Sequence, residues 1–260
     1  MNLHKEAMNI YNLSNAKAIV TGVSHGEAIG AAICRQLAKA GSSIFFTHWK
    51  AVADWPENFQ AELADIGINS DHMCIDLSIP DAPQKVLDVA VNSIGSPTIL
   101  VNNAAHSERD GYEKLNASSL DVHYSVNMRS TMILSTLFAR LFKKSTQTAG
   151  RIINLVSGQD QGPMIEELAY GATKGAISTF TVSLSAEVAP LGITVNAVNP
   201  GPTDTGWMSD EDKQELGSQF LMGRIGQPTD AARLVTFLAS KESAWITGQV
   251  IHSEGAFLRK

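Results

Sequence analysis

Four residues in the middle of the chain, Asn127, Ser157, Tyr170 and Lys174, have types and spacing suited to moving a proton at a carbonyl oxygen. Tyr170 and Lys174 are four apart, so on a helix they share a face one turn from each other. Ser157 precedes Tyr170 by thirteen residues. Ketone reduction needs a proton donor beside the carbonyl oxygen while hydride arrives on carbon. A free tyrosine, with a pKa of about 10, is a poor acid–base group near neutrality. Lowering it to ~7 asks for ~4 kcal/mol of preferential phenolate stabilisation. A lysine ammonium ~4 Å away, in an effective dielectric of ~20, supplies about that much. The spacing therefore predicts that Lys174 lowers the Tyr170 pKa. Ser157 is expected to hold and polarise the substrate oxygen, and Asn127 to hold a water that links Lys174 to solvent. Any one of these residues alone more often serves a cap, a turn or the surface; the set in this order carries the reading. His106 and His123 are placed at the border of the same site. No His/Asp/Glu cluster has ligand spacing, so no metal is assigned.

A second group reads as a dinucleotide site. Thr21-Gly22-Val23-Ser24-His25-Gly26-Glu27-Ala28-Ile29-Gly30 links the first strand candidate to a helix candidate. Glycines let the backbone turn tightly and approach a pyrophosphate, and the helix N-terminus offers free N–H groups and a favourable dipole. Gly22, Ser24, His25, Ile29 and Gly30 are the expected contacts. Asp76-Leu77 closes the third strand, where a carboxylate can accept from an adenine amino group, and Asn103 and Ala104 follow the fourth. Successive strand ends form the edge along which ligands bind. After the second strand comes Thr47-His48-Trp49-Lys50, with His48 where an NAD enzyme would carry an acid. His48, Lys50 and His25 offer positive character to a 2′-phosphate, which predicts NADP(H), with NAD(H) as the alternative.

The elements that must position these residues are legible as alternating strands and helices. Strand candidates are Lys17–Thr21, Ser43–Thr47, Ser70–Ile75, Thr98–Val101, Arg151–Val156, Thr194–Val198 and Gln249–His252. Helix candidates are Ala28–Ala40, Trp55–Ile66, Ala82–Ser93, Ala117–Lys144, Leu168–Ala189 and Asp230–Ala239. Such alternation predicts an α/β fold with a parallel sheet covered on both faces. In the helix over 168–189, Ala169, Ala172, Ala176, Phe180 and Leu184 recur near helical spacing, and Pro190 and Gly192 stop it. No repeat or linker divides the chain, so one domain over 16–260 is expected, after an N-terminal extension over 1–15.

Composition narrows the function classes. The chain has 260 residues, 44% hydrophobic, and a formal charge of −6. Its longest basic run is Lys143-Lys144, so neither nucleic acid nor an anionic membrane is an expected partner. Cys34 and Cys74 sit in apolar segments and read as buried thiols. The first fifteen residues lack an apolar run, and none elsewhere approaches the roughly 18 residues of a membrane span, which makes the cytoplasm the expected location.

From about Ala16 to Phe257 the sequence resembles the short-chain dehydrogenase/reductase family. The marks are Thr21-Gly22…Gly30, Asp76, Asn102-Asn103-Ala104, Asn127, Ser157, Tyr170-x-x-x-Lys174 and Asn199-Pro200-Gly201-Pro202-Thr203-Asp204-Thr205. The resemblance implies a single Rossmann-like domain with a seven-stranded parallel sheet, and a catalytic tetrad of the four residues above. It implies that Lys174 grips the nicotinamide ribose and that Pro200, Gly201, Thr203 and Thr205 border the cofactor. The stretch 206–226, with Trp207, Met208, Phe220, Leu221 and Met222, would form a substrate lid. Gly223-Arg224-Ile225-Gly226-Gln227-Pro228 and Ile246-Thr247-Gly248-Gln249 are most similar to bacterial β-ketoacyl-(acyl-carrier-protein) reductases, which implies a cytoplasmic homotetramer. The substrate implied is a β-ketoacyl thioester; a small ketone or alcohol is the alternative, and a non-catalytic dinucleotide sensor the rival from another class. Three departures stand out. The glycine turn is two residues longer than usual, with Ala28 at a customary glycine and Gly26 beside it. Ala105 replaces another glycine. Thr148 and Leu191 fall where the carrier-protein-binding basic residues belong, although Arg140, Lys143 and Lys144 are near. Enoyl reductases of the superfamily also lengthen the turn, but they space Tyr and Lys further apart.

Overall fold

Short runs rich in β-branched and aromatic residues have nowhere to go but a buried strand. The computed structural model of the chain describes residues 11–259, and within them the strands are β1 (Lys17–Val20), β2 (Ser43–His48), β3 (Ser70–Cys74), β4 (Ile99–Asn102), β5 (Gly150–Leu155), β6 (Ile193–Asn199) and β7 (Val250–His252), the outer β3 being the more polar Ser-Asp-His-Met-Cys. Each bound falls within one residue of its sequence expectation. All pair in parallel, in the order β3-β2-β1-β4-β5-β6-β7. This is the Rossmann-like seven-stranded sheet expected. The order reverses between β1 and β4, and such a switch point opens a crevice at the carboxyl ends of the strands.

Alternation along the strands divides the core in two. Ala18, Val20, Ile44, Phe46, Val101, Ile153 and Val198 face one layer, with Leu37, Phe59, Leu63 and Val235. Ile19, Phe45, Leu100, Ile152 and Val195 face the other, with Val86, Leu134, Phe138 and Leu184. The first layer is built by α1 (Ile29–Lys39), α2 (Trp55–Asp65) and, late in the chain, α8 (Pro228–Ala239); the second by α3 (Ala82–Ile94), α5 (Ser130–Lys143) and α6 (Leu168–Val188). Each large apolar side chain so buried contributes roughly 1.5–3 kcal/mol. That both faces are covered explains why strand sequences such as Ile44-Phe45-Phe46 are apolar without a break.

Four sequence expectations need correction. The helix expected over Ala117–Lys144 is interrupted: α4 (Ala117–His123) runs into a π-helical turn, Tyr124–Arg129, before α5. Nothing in the apolar spacing marks that turn. A helix not anticipated, α7 (Asp210–Gly217), starts from a reciprocal Ser209–Asp212 capping box. In α6 the buried stripe is Ala169, Thr173, Ile177, Thr181, Leu184 and Val188 rather than the Ala172–Ala176–Phe180 line. The reason is that Thr181 meets its polar needs internally, donating to the Ile177 carbonyl at 2.8 Å and accepting from Asn154 at 2.9 Å. Finally, Cys34 is buried but Cys74 is exposed, because it ends the edge strand β3.

Residues 1–10 of the expected N-terminal extension lie outside the described residues. Residues 11–15 do pack on the fold: Leu13 is buried and its N–H donates to the Ala40 carbonyl at 2.8 Å.

Candidate active site

Most of the sequence-predicted site residues lie at or after the carboxyl end of a strand or in the first turns of the helix that follows, so the sheet gathers them along one edge; Asn127 joins them from the π-helical turn. Ser157 lies two residues past β5 and Tyr170 is the third residue of α6. Ser157 lies close enough to the Tyr170 phenol to draw its pKa down. Lys174, one turn on, is buried beneath them, with its ammonium donating to the Leu155 carbonyl at 2.7 Å and lying 5.5 Å from the Tyr170 ring centroid. The expectation that Lys174 draws the Tyr170 pKa down is overturned in this arrangement. Burial, followed by the Glu167 carboxylate, pushes Tyr170 up to about 12 against the opposing Ser157 hydrogen bond. Lys174 itself is brought down to about 8 by burial. The physical reason is placement: Nζ stands over the ring face, held by a main-chain carbonyl, and does not address the phenolic oxygen.

The Asn127 side chain is engaged within the protein. Asn127 sits buried in the π-helical turn, where its Oδ1 accepts from the His106 N–H at 2.6 Å and its Nδ2 donates to the His106 carbonyl at 2.9 Å and to Thr173 Oγ1 at 3.1 Å. Both amide protons are committed. The side chain therefore clamps the segment following β4 to α6, one residue from Lys174. His106 borders the cofactor cleft as expected. His123 lies fully buried behind it, the two ring centroids 4.6 Å apart.

Sequence reasoning missed Asp110. Helix α6 has no side-chain cap of its own at Glu167. The buried Asp110 carboxylate instead accepts from the N–H groups of Leu168 at 2.8 Å and Ala169 at 2.9 Å, and from its neighbour Gly111 at 2.5 Å. Burial pushes its pKa up, and the three backbone donors together outweigh burial, so Asp110 stays below the usual carboxylate range. It meets the orphan donors of the helix that carries Tyr170 and Lys174. No local signal could have found it, because the cap comes from 58 residues away.

Toward the other end of the edge, a cleft of about 570 Å³ is lined by Gly22, Ser24, His25, Ala28, His48, Trp49, Lys50, Asp76, Leu77, Ala104 and His106 among others. Gly22 is required there, since its φ is 74° and an added Cβ would stand 2.5 Å from Ala104 Cα. At Gly30 an added Cβ would meet Asn103 Nδ2 at 2.7 Å. Gly26, by contrast, has its nearest neighbour at 3.5 Å, so close approach within the protein belongs to Gly22 and Gly30. Asn103 spends its amide protons on the Thr21 and Gly22 carbonyls at 2.8 and 2.9 Å, bracing the turn. Ser24 Oγ ties the turn to the Trp49 carbonyl at 3.1 Å, and Asp76 Oδ1 accepts from Ser78 N–H at 2.8 Å. Ile29 opens α1 and packs on the core. The cleft fits a dinucleotide on three counts. Its volume is that of a small-molecule site. Helix α1 has neither a side-chain cap nor an acid in its first turn, which leaves its N–H groups for an anion. One lining histidine carries a buried ring nitrogen with no hydrogen-bond partner among the described residues, His48 Nδ1. Among the described residues no group of three or more His, Cys, Asp or Glu is placed to hold a metal ion.

After β6, Gly201 turns at φ 64° against Glu254, Thr203 is buried with its hydroxyl on the Gly201 carbonyl at 3.1 Å, and Thr205 is half-buried. Beyond Thr205, Gly206 abuts the Glu27 carboxylate of the lengthened glycine turn. In the stretch that follows, Met208 and Phe220 are buried, whereas Trp207, Leu221 and Met222 are exposed.

Comparison with known proteins agrees with this geometry. A family model described as enoyl-(acyl carrier protein) reductase matches residues 22–257. The chain is 58% identical to the uncharacterized oxidoreductase YjdA of Bacillus subtilis, over 93% of this chain and 96% of that one. It is 33% identical to the 3-oxoacyl-(acyl-carrier-protein) reductase FabG of Vibrio cholerae, over 94% and 98%. Among solved structures, a short-chain dehydrogenase/reductase of Serratia marcescens aligns with a TM-score of 0.85 at 31% identity, covering 95% of this chain and all of that one.

Proposed function

Since the chain belongs to the short-chain dehydrogenase/reductase family of oxidoreductases, we propose that it interconverts a ketone and a secondary alcohol with NADP(H). The observation that carries this reading is the placing of Ser157 beside the Tyr170 phenol with a buried Lys174 one turn on, at the sheet edge that also holds the dinucleotide-sized cleft. Ser157 Oγ and Tyr170 Oη address one substrate oxygen together. Tyr170 passes its proton to that oxygen, and Ser157 steadies the negative charge that develops there. Lys174 holds positive charge beneath the phenol and grips the nicotinamide ribose. Asn127 and Asp110 keep the start of α6 in register. The bound dinucleotide supplies the hydride. Gly22, Gly30 and the α1 N-terminus receive its pyrophosphate, Asp76 and Leu77 its adenine, and His48, Lys50 and His25 its 2′-phosphate. Thr203 and Thr205, with Pro200 and Gly201, border the nicotinamide end, under a lid formed by 206–226.

A β-ketoacyl thioester is the leading substrate, on the resemblance to ketoacyl reductases. Thr148 and Leu191 in place of the customary basic residues favour the second reading, reduction of small free ketones, and make acyl carrier protein the less favoured partner. Tyr170-x-x-x-Lys174 spacing argues against enoyl reduction. The reading includes a cytoplasmic homotetramer. Its test is NADPH oxidation with acetoacetyl-CoA and with a panel of small ketones, repeated with NADH. Thioester turnover with NADPH supports the first reading, and activity on free ketones alone supports the second. Tight dinucleotide binding without turnover on any substrate would replace both with a sensor.

A further inference from the structure

The last described residues of the chain return to the serine side of the site. Arg259 and Glu254 form a two-pronged ion pair, Nη1 donating to Oε2 at 2.9 Å and Nη2 to Oε1, with side chains only 16% and 8% exposed. Glu254 Oε1 also accepts from Asn199 Nδ2 at 2.7 Å, which anchors the pair to the end of β6. On its other side the guanidinium lies against the main chain of Gly158, the residue after Ser157, and leaves no room there for a Cβ. Its stem runs past Gly162, where an added Cβ would stand 3.1 Å from Arg259 Cδ. Between those glycines the Gln161 N–H closes a turn on the Gly158 carbonyl at 2.9 Å. The tail that carries Arg259 is itself paired with the far end of the 206–226 stretch. Phe257 bridges to Phe220, ring centroids 4.8 Å apart, and the Leu258 N–H donates to the Gln219 carbonyl at 2.9 Å.

Resting on the reductase reading above, we propose that Arg259 is a positioning residue for Ser157, fastening the serine loop to the lid. Glycines at 158 and 162 leave that loop without side chains at the two points where the guanidinium and its stem press on it, so Arg259 supplies the wall the loop lacks. A planar fork held by both oxygens of one carboxylate has a single orientation, which a point charge on a flexible stem does not. In a pair sheltered from water, removing either partner strands the other's charge, so the two hold together. Movement of 219–222 is passed through Phe257 and Arg259 to Gly158, and a lid that closes over substrate sets Ser157 in the same motion. Ser157 acts on the charge that develops at the substrate oxygen. A loosened serine loop therefore costs the chemical step and spares dinucleotide binding.

The test uses the full chain with R259M, which keeps the stem on Gly162 and drops the fork, and with R259K, which keeps one charge. With NADPH and a carbonyl substrate that the unaltered chain turns over, R259M is expected to lose about 10- to 100-fold in kcat, the range for a small displacement of a catalytic group. R259K should fall between R259M and the unaltered chain, and NADPH affinity by tryptophan fluorescence should change little. In an S157A background R259M should cost nothing further, because both changes remove the same contact. Hydrogen exchange read by mass spectrometry should quicken together over 158–162 and 219–222 in R259M. The same kcat loss with and without the Ser157 hydroxyl makes Arg259 merely structural and overturns the proposal, as does faster exchange confined to 219–222. If R259M does not fold, R259K carries the same comparisons. An unaltered chain that turns over no carbonyl overturns the reductase reading. Exchange then decides the fastening by itself, joint quickening upholding it and quickening of 219–222 alone overturning it.

Discussion

Tyr170 holds its proton more tightly than a free phenol, because burial and Glu167 disfavour the phenolate more than Ser157 favours it. Such a group is neutral through the physiological range: it carries the proton that ketone reduction needs and lacks the free phenolate that alcohol oxidation needs. Replacing Tyr170 by Phe removes the donor and keeps the ring: turnover is expected to drop by about 10²–10⁴-fold, while NADPH affinity by fluorescence titration changes little. A comparable loss of affinity would make Tyr170 a binding residue instead. Lys174 sets a second limit. Brought down to about 8 by burial, it carries its charge below that pH and loses it above. In the proposed mechanism the charged form grips the nicotinamide ribose, so reduction by NADPH should decline as pH rises through about 8. A rate that stays level to pH ~10, where an unperturbed lysine would titrate, would remove Lys174 from the chemistry. Tyr170, Lys174 and Ser157 were all legible as residue types at fixed spacing. The direction of the tyrosine shift was not, because it depends on burial and on which atom of Tyr170 the ammonium faces.

At the scale of elements, α6 carries the chemistry, and its first turn is held from outside. Asp110 accepts from Leu168 and Ala169, and Asn127 in the π-helical turn reaches Thr173. Replacing Asp110 by Ala removes a charged cap worth about 1–2 kcal/mol, equivalent to roughly 2–8 °C in Tm for a chain of this size. Because the loosened turn bears Tyr170, kcat should fall by more than cofactor affinity does, with D110N intermediate. Unchanged kcat in a folded D110A protein would show that the cap serves stability alone. The strands were readable to within a residue, since buried parallel strands are short continuous apolar runs. Helix α7 was also readable, through Ser209 and Asp212, and was overlooked. The interruption at Tyr124–Arg129 has no such mark: its residues continue the helical pattern on either side, and the wider turn follows from where Asn127 must reach.

For the whole molecule, a seven-stranded sheet with a core on each face leaves β7 as one outer strand, only three residues long, preceded by the almost fully exposed Trp245. Exposed aromatic surface beside a short sheet edge is where another chain is best accommodated. The homotetramer of the proposed reading predicts a solution mass four times that of the chain by light scattering, and a monomeric mass would overturn it. Within the described residues no helix is long and apolar enough to cross a membrane. The sequence by itself determined the alternation of strands and helices, the glycine turn after β1 and the order of Asn127, Ser157, Tyr170 and Lys174. These are local or evenly spaced features, set by the two-residue and 3.6-residue periods of the backbone. Only the tertiary structure decided that Asp110 caps α6, that His48 meets His72, that Asn127 is a clamp and that burial raises the Tyr170 pKa. Each of those rests on contacts between segments distant in the chain or on exclusion from water, and neither is written in any stretch short enough to carry a pattern.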